Sequence, residues 1–107
     1  MGWADRYIAE LRADRPVSFR PRGNSMAGYV PSGSLVTVVP RTHAPQPGQI
    51  VLCKVSGSQY LHFAAVVRGD RVRIENAKGH VNGWTPFQNI YGVVISIDGR
   101  ILGSVNP

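Results

Sequence analysis

From Val17 to Ile97 the apolar residues of this chain recur with a period of two, in short segments broken by glycine and proline, and this pattern narrows the fold more than any other feature. Alternation sends successive side chains to opposite faces of an extended strand, so each segment buries one face and wets the other. The segments VSFRP, SLVTVVP, QIVLCKV, YLHFAAVV, DRVRIEN and YGVVISI read as strands. The connectors RGNSMAGYVPSG, RTHAPQPGQ, SGSQ, RGD and AKGHVNGWTPFQN hold the residue types that turns require. Ahead of them, Trp3, Tyr7, Ile8 and Leu11 fall at helical spacing, with Asp5, Arg6, Glu10 and Arg12 on the other side. This predicts a short amphipathic helix that ends before Pro16, because proline disfavours helical geometry in the residue ahead of it. Its Trp3 and Tyr7 serve either as core residues that cap a sheet or as a docking face for a partner. The expected fold is mainly β and antiparallel, with residues 1–16 as the N-terminal helix and 17–107 as the β domain of a single-domain chain.

Composition supports a folded chain and narrows its partners. With 107 residues, 43% of them hydrophobic, the chain can bury one core, and enough Val, Ile and Leu remain to offset the entropy of ordering. Twelve Lys and Arg against six Asp and Glu give a net charge of +6, which favours anionic partners, nucleic acid among them. The basic residues form no run, so a solvated basic surface explains them as well as a binding patch does. One cysteine, Cys53, excludes an intrachain disulfide, and no Cys/His cluster has zinc-ligand spacing. A reducing, cytoplasmic setting fits that usage. No segment reaches the roughly 18 to 20 apolar residues of a membrane span, and Asp5, Glu10 and Asp14 stand where a signal peptide would be apolar.

The candidate chemistry lies in Gly23-Asn24-Ser25-Met26. A nucleophilic serine needs a base within hydrogen-bond reach, donors for the oxyanion, and exposure on a rigid support. The glycine permits an unusual backbone that leaves amides free to point at a substrate oxygen, making Asn24, Ser25 and Met26 candidate oxyanion or substrate-positioning residues. Three histidines could supply the base: His43 in a Pro-rich loop, His80 in a Gly-containing loop, and His62 inside YLHFAAVV. Strand alternation puts His62 on the face of Tyr60 and Ala64, with Leu61, Phe63 and Ala65 on the other. The segment HVNGWTPF offers a separate possibility. Trp84 and Phe87 beside Lys78 and His80 read either as an aromatic and basic contact surface or as a loop pinned by a buried Trp84, with Asn82-Gly83 as its turn dipeptide.

Taken in order, these boxes resemble the LexA/signal peptidase superfamily of serine peptidases. GNSMAGYVPSGSLVTVVP is similar to that superfamily's nucleophile box, PGQIVLCKV to its next strand, YLHFAAVVRGDRVRIEN to the box that carries the general base, and NIYGVVISI to its closing strand. The resemblance runs from about Phe19 to Ile97 and implies Ser25 as nucleophile and His62 as general base, as in the branch that uses histidine in place of lysine. Histidine, with an unperturbed pKa near 6.5, needs little tuning to act as a base at neutral pH.

Three positions depart from the pattern: Ser34 and Gln49 stand where aspartates are usual, and Phe63 where an arginine often follows the base. The histidine branch also orients its base with a downstream acid, and IENAKGHVNGW offers Glu75 and Asn76 but no aspartate. Asp70 belongs to a turn that the resemblance makes structural. The implied function is a serine endopeptidase that uses a Ser-His dyad, without metal or cofactor, to cleave a protein or peptide in trans. No helix-turn-helix precedes the nucleophile box, and the one Ala-Gly pair, Ala27-Gly28, lies inside it, so cleavage of an internal linker does not fit. The alternative is an inactive module of the same fold that binds a protein or nucleic-acid partner.

Overall fold

A computed structural model describes residues 2–102, so Met1 and the last five positions of the expected β domain lie outside the described residues. Helix α1 spans Asp5–Arg12, with Asp5 in its first turn and Arg12 in its last, each charge complementing the helix dipole. The chain then reverses through Asp14, at φ 64°, before Pro16. Eight strands follow: β1 (Val17–Phe19), β2 (Val36–Pro40), β3 (Ile50–Val55), β4 (Ser58–Arg68), β5 (Arg71–Glu75), β6 (Val81–Pro86), β7 (Ile90–Ile97) and β8 (Arg100–Ile101). They form one antiparallel sheet in the order β1-β2-β7-β3-β4-β5-β6, with β8 paired to β7. The mainly β architecture with a short N-terminal helix is the one the sequence predicts.

Two strands, β6 and β8, depart from the expectation of six. The Asn82-Gly83 pair lies inside β6 and turns nothing; the chain reverses at Gly79, where φ is 85°. Pairing shows why this dipeptide suits a strand. Ile74 faces Gly83 and Glu75 faces Val81, so Asn82 is an extra residue on β6. Asn82 thus forms a β-bulge, and Gly83, at φ 133°, supplies a backbone angle that a side chain would resist. Similar one-residue shifts leave Ala65 extra on β4, and Tyr91 and Ile95 extra on β7.

These bulges curl the sheet. The curl brings β6 over β3, where Thr85 Oγ1 donates to the Lys54 carbonyl at 2.7 Å. Inside it packs one core cluster, with Val51, Cys53, Ala64, Val72 and Ile74 among its members. A second cluster fills the opposite face, where Ile8 and Leu11 of α1 meet Val36, Val38, Leu52 and Val94. Helix α1 thus caps the sheet through Ile8 and Leu11, with Tyr7 partly buried against them, whereas Trp3 is 50% exposed and is not the core residue that a pure capping role expects. Trp84 is half-buried on β6, with the Arg68 and Arg73 guanidinium carbons 5.6 and 6.0 Å from its ring. It is thus neither in a loop nor fully buried. Among the described residues no helix is long and apolar enough to cross a membrane.

Candidate active site

Ser25 sits in the long β1–β2 connection, and that connection is built as a braced turn. Met26 and Val30, each 4% exposed, insert into the core under α1 and tie down the residues beside the serine. Ala27 N donates to Asn24 O at 3.1 Å, and Val30 N donates to Met26 O at 2.8 Å, so the segment closes on itself. At its base, Gly33 N donates to Pro21 O at 2.7 Å, and Gly23 N donates to the Ser32 hydroxyl at 3.0 Å. A long-range bond fixes the serine itself, as Ala77 N in the β5–β6 turn donates to Ser25 O at 2.9 Å. Ser25 is left exposed on a support anchored from both sides. Among the described residues, the N–H groups of Ser25 and Met26 make no backbone hydrogen bond.

His62 comes from β4, on the face it shares with Tyr60, whose ring stacks against the imidazole at 4.9 Å. Ser25 Oγ–H donates to His62 Nε2 at 3.0 Å, the reach expected of a nucleophile and its base. On the other side of the ring, His62 Nδ1–H donates to Asn82 Oδ1 at 2.7 Å. This bond keeps the ring proton on Nδ1 and leaves the Nε2 lone pair facing the serine. His62 is 5% exposed, and burial lowers its pKa below the usual histidine value. The Asn82 bond opposes that shift, and the nearby His80 adds to it. The imidazole is therefore neutral, and able to accept a proton, at pH 7.

Asn82 is the third member of this array, and it was not among the residues the sequence pointed to. The two offered for that place are engaged elsewhere: Glu75 pairs with Arg73 at 2.6 Å, and Asn76 Oδ1 accepts the N–H groups of Lys78 and His80. Asp70 lies in the β4–β5 turn, where its carbonyl accepts Phe87 N. His43 is bonded to Thr42 in an exposed loop, and Cys53 is fully buried with its thiol pushed up to about 12 by desolvation. Neither is a competing base or nucleophile. Beside Ser34, Asp98 Oδ1 accepts Leu35 N at 2.8 Å, so a carboxylate from another part of the chain braces this turn. Among the described residues no group of three or more His, Cys, Asp and Glu could hold a metal ion.

A groove of about 400 Å³ runs from Ser25 and His62 along the edge of β4. The β3–β4 hairpin turns at Ser56-Gly57, both at positive φ, so Val55 and Ser58 make its first hydrogen-bonded pair. Residues 58, 60 and 62 thus direct their main-chain groups to β3, and 59, 61 and 63 direct theirs outward. Phe63 meets β5, and the Gln59 carbonyl accepts the Trp3 indole N–H at 3.1 Å. Between them, Leu61 presents its N–H and C=O on an edge that no described strand covers. Comparison with protein-family models, with curated proteins and with solved structures gives no match.

Proposed function

We propose that the chain is a serine peptidase in which Ser25, His62 and Asn82 act as a Ser-His-Asn triad on an extended peptide. The observation that carries this reading is the pair of hydrogen bonds, 3.0 and 2.7 Å, that join three residues from separate elements in the order nucleophile, base, orienter. The resemblance to the LexA/signal peptidase superfamily, drawn from sequence, names the same nucleophile and base, and Asn82 takes the place of the acid in the histidine branch.

The chemistry follows from the protonation states. Ser25 Oγ attacks the scissile carbonyl carbon while its proton passes to His62 Nε2. The carbonyl oxygen becomes an oxyanion, bound by the free N–H groups of the nucleophile turn. As the C–N bond breaks, Nε2 returns that proton to the departing amine, leaving an ester on Ser25. Water then attacks the ester, giving its proton to Nε2, and Oγ leaves with that proton as the carboxylic acid product departs. The Leu61 N–H and C=O, which no described strand pairs on that side, would hold the substrate backbone by strand addition.

The test is to incubate the protein with denatured protein substrates and identify new N-termini by mass spectrometry. Cleavage products formed by wild type and absent with Ser25→Ala support a peptidase. Products at equal levels in both, or in neither, contradict it. The same open edge also suits an inactive module that holds a peptide without cutting it. That reading predicts equal peptide retention by wild type and Ser25→Ala, with no acyl-enzyme in either.

A further inference from the structure

Beyond the reacting groups, the groove has a floor that the triad does not use. Trp3, Tyr7 and Phe19 form it, with the Tyr7 and Phe19 rings stacked at 4.1 Å and Trp3 edge-on to Phe19 at 5.9 Å. Although it packs on this cluster, Trp3 remains 50% exposed. Its position is fixed from several directions. The indole N–H is bonded to Gln59 O, Ala4 N donates to Gln59 Oε1 at 2.7 Å, and Gln59 Nε2 donates to Asp5 Oδ1 at 2.6 Å. An aromatic surface held this way loses little freedom when a ligand covers it.

Charge gives the second half of the inference. Arg20 and Arg22 line the groove, and no Asp or Glu does. Arg20 donates to the Gly33 carbonyl at 2.9 Å and, among the described residues, has no carboxylate partner, whereas their ion pairs, Arg15 with Glu10 and Arg73 with Glu75, lie elsewhere. Register supplies the spacing. From His62 to Gln59 is three strand residues, or about 10 Å at roughly 3.4 Å each. A peptide lying along β4 would reach the aromatic floor about three residues from the bond held at Ser25.

We infer that the groove selects an extended peptide bearing a large apolar or aromatic side chain about three residues from the Ser25 position, with an acidic residue beside it for Arg20 and Arg22. The inference rests on the peptidase reading only for where the reacting bond lies; the groove's preference stands apart from catalysis. It is tested on Ser25→Ala protein, which cannot turn over, by selection from a randomised dodecapeptide library and then by fluorescence anisotropy with one labelled peptide containing Phe and two Glu. Selected sequences should be enriched in Phe, Tyr, Trp or Leu together with Asp or Glu. Adding Trp3→Ala should weaken binding of the labelled peptide by roughly tenfold to a hundredfold, as loss of a central aromatic anchor does. Adding Arg22→Glu should weaken it about tenfold and strengthen binding of the matching peptide with Lys in place of Glu. Both side chains are exposed, and circular dichroism of the variants reports whether the fold is kept. Enrichment of small or basic residues, no enrichment at all, or unchanged affinity in both folded variants would overturn the inference. Acidic and aromatic selection by a protein whose wild type forms no acyl-enzyme would instead sink the peptidase reading and leave the groove's preference standing.

Discussion

Asn82 places a neutral dipole where many serine hydrolases place a carboxylate, and that choice has measurable consequences for His62. The amide oxygen fixes the Nδ1–H tautomer, and in the proposed reaction it would stabilise an imidazolium less than a carboxylate would. Asn82→Ala should therefore lower the acylation rate by about 10²-fold, within the range that general-base catalysis supplies. It should also move the pH midpoint of activity lower, since the Asn82 bond raises the His62 pKa. Asn82→Asp should move that midpoint upward. In wild type, activity requires the neutral ring, so it should rise with pH through a midpoint below 6.5 and level off by neutrality. The same depressed pKa acts on stability. Below about pH 6.5 the unfolded chain binds a proton at His62 before the folded one does, so stability falls as pH drops from there toward the folded midpoint. Urea titrations across that window should show the slope in wild type and a shallower one in His62→Gln. A midpoint above 6.5, or a slope of opposite sign, would contradict the assigned burial.

At the level of elements, the bulges explain both how the site forms and why part of it escaped the sequence. Alternation and turn residues made six strands legible, because a half-buried strand must write its burial with a period of two. β6 escaped because VNGWTP contains Asn-Gly, whose usual meaning is a turn, and because its bulge breaks the alternation at Asn82. The feature that hid the strand is the one that aims Asn82 at His62. Close backbone approach sets a second constraint, in the centre of the sheet. A side chain at Gly92 of β7 would lie 2.6 Å from the Val39 carbonyl oxygen and 2.7 Å from Val38 Cγ1. Gly92→Ala should therefore destabilise by about 1–3 kcal/mol through overpacking. At about 4–8 °C per kcal/mol for a domain near this size, a calorimetric melt resolves that loss. Met26→Ala acts from the other direction. Emptying that buried site should cost about 2–5 kcal/mol and loosen the turn that carries Ser25. An unchanged melting temperature in either variant would refute the packing described.

Over the whole molecule, the site is assembled from segments far apart in sequence, and this decided how much of it could be read in advance. Ser25 and His62 were named in advance through the order of the boxes around them, which resembles that of a known superfamily, since a serine in a glycine-rich turn and a histidine in a strand each say little alone. Asn82 was not, because nothing local distinguishes an asparagine that reaches across a curled sheet from one that turns a hairpin. The net charge of +6 likewise gave the sign of the surface without saying where on it the charge gathers. Only the fold sets Arg20 and Arg22 beside Trp3, Tyr7 and Phe19 on one groove. The central claim is that these dispersed residues make one nucleophile. The most direct measurement is labelling of wild type, Ser25→Ala, His62→Ala and Asn82→Ala with a fluorophosphonate probe, followed by mapping of the modified residue. The account predicts a wild-type adduct on Ser25, none with Ser25→Ala, at least 10²-fold slower labelling with His62→Ala, and an intermediate rate with Asn82→Ala. Absence of a wild-type adduct on the folded protein, or labelling at an unchanged rate in His62→Ala, would contradict it.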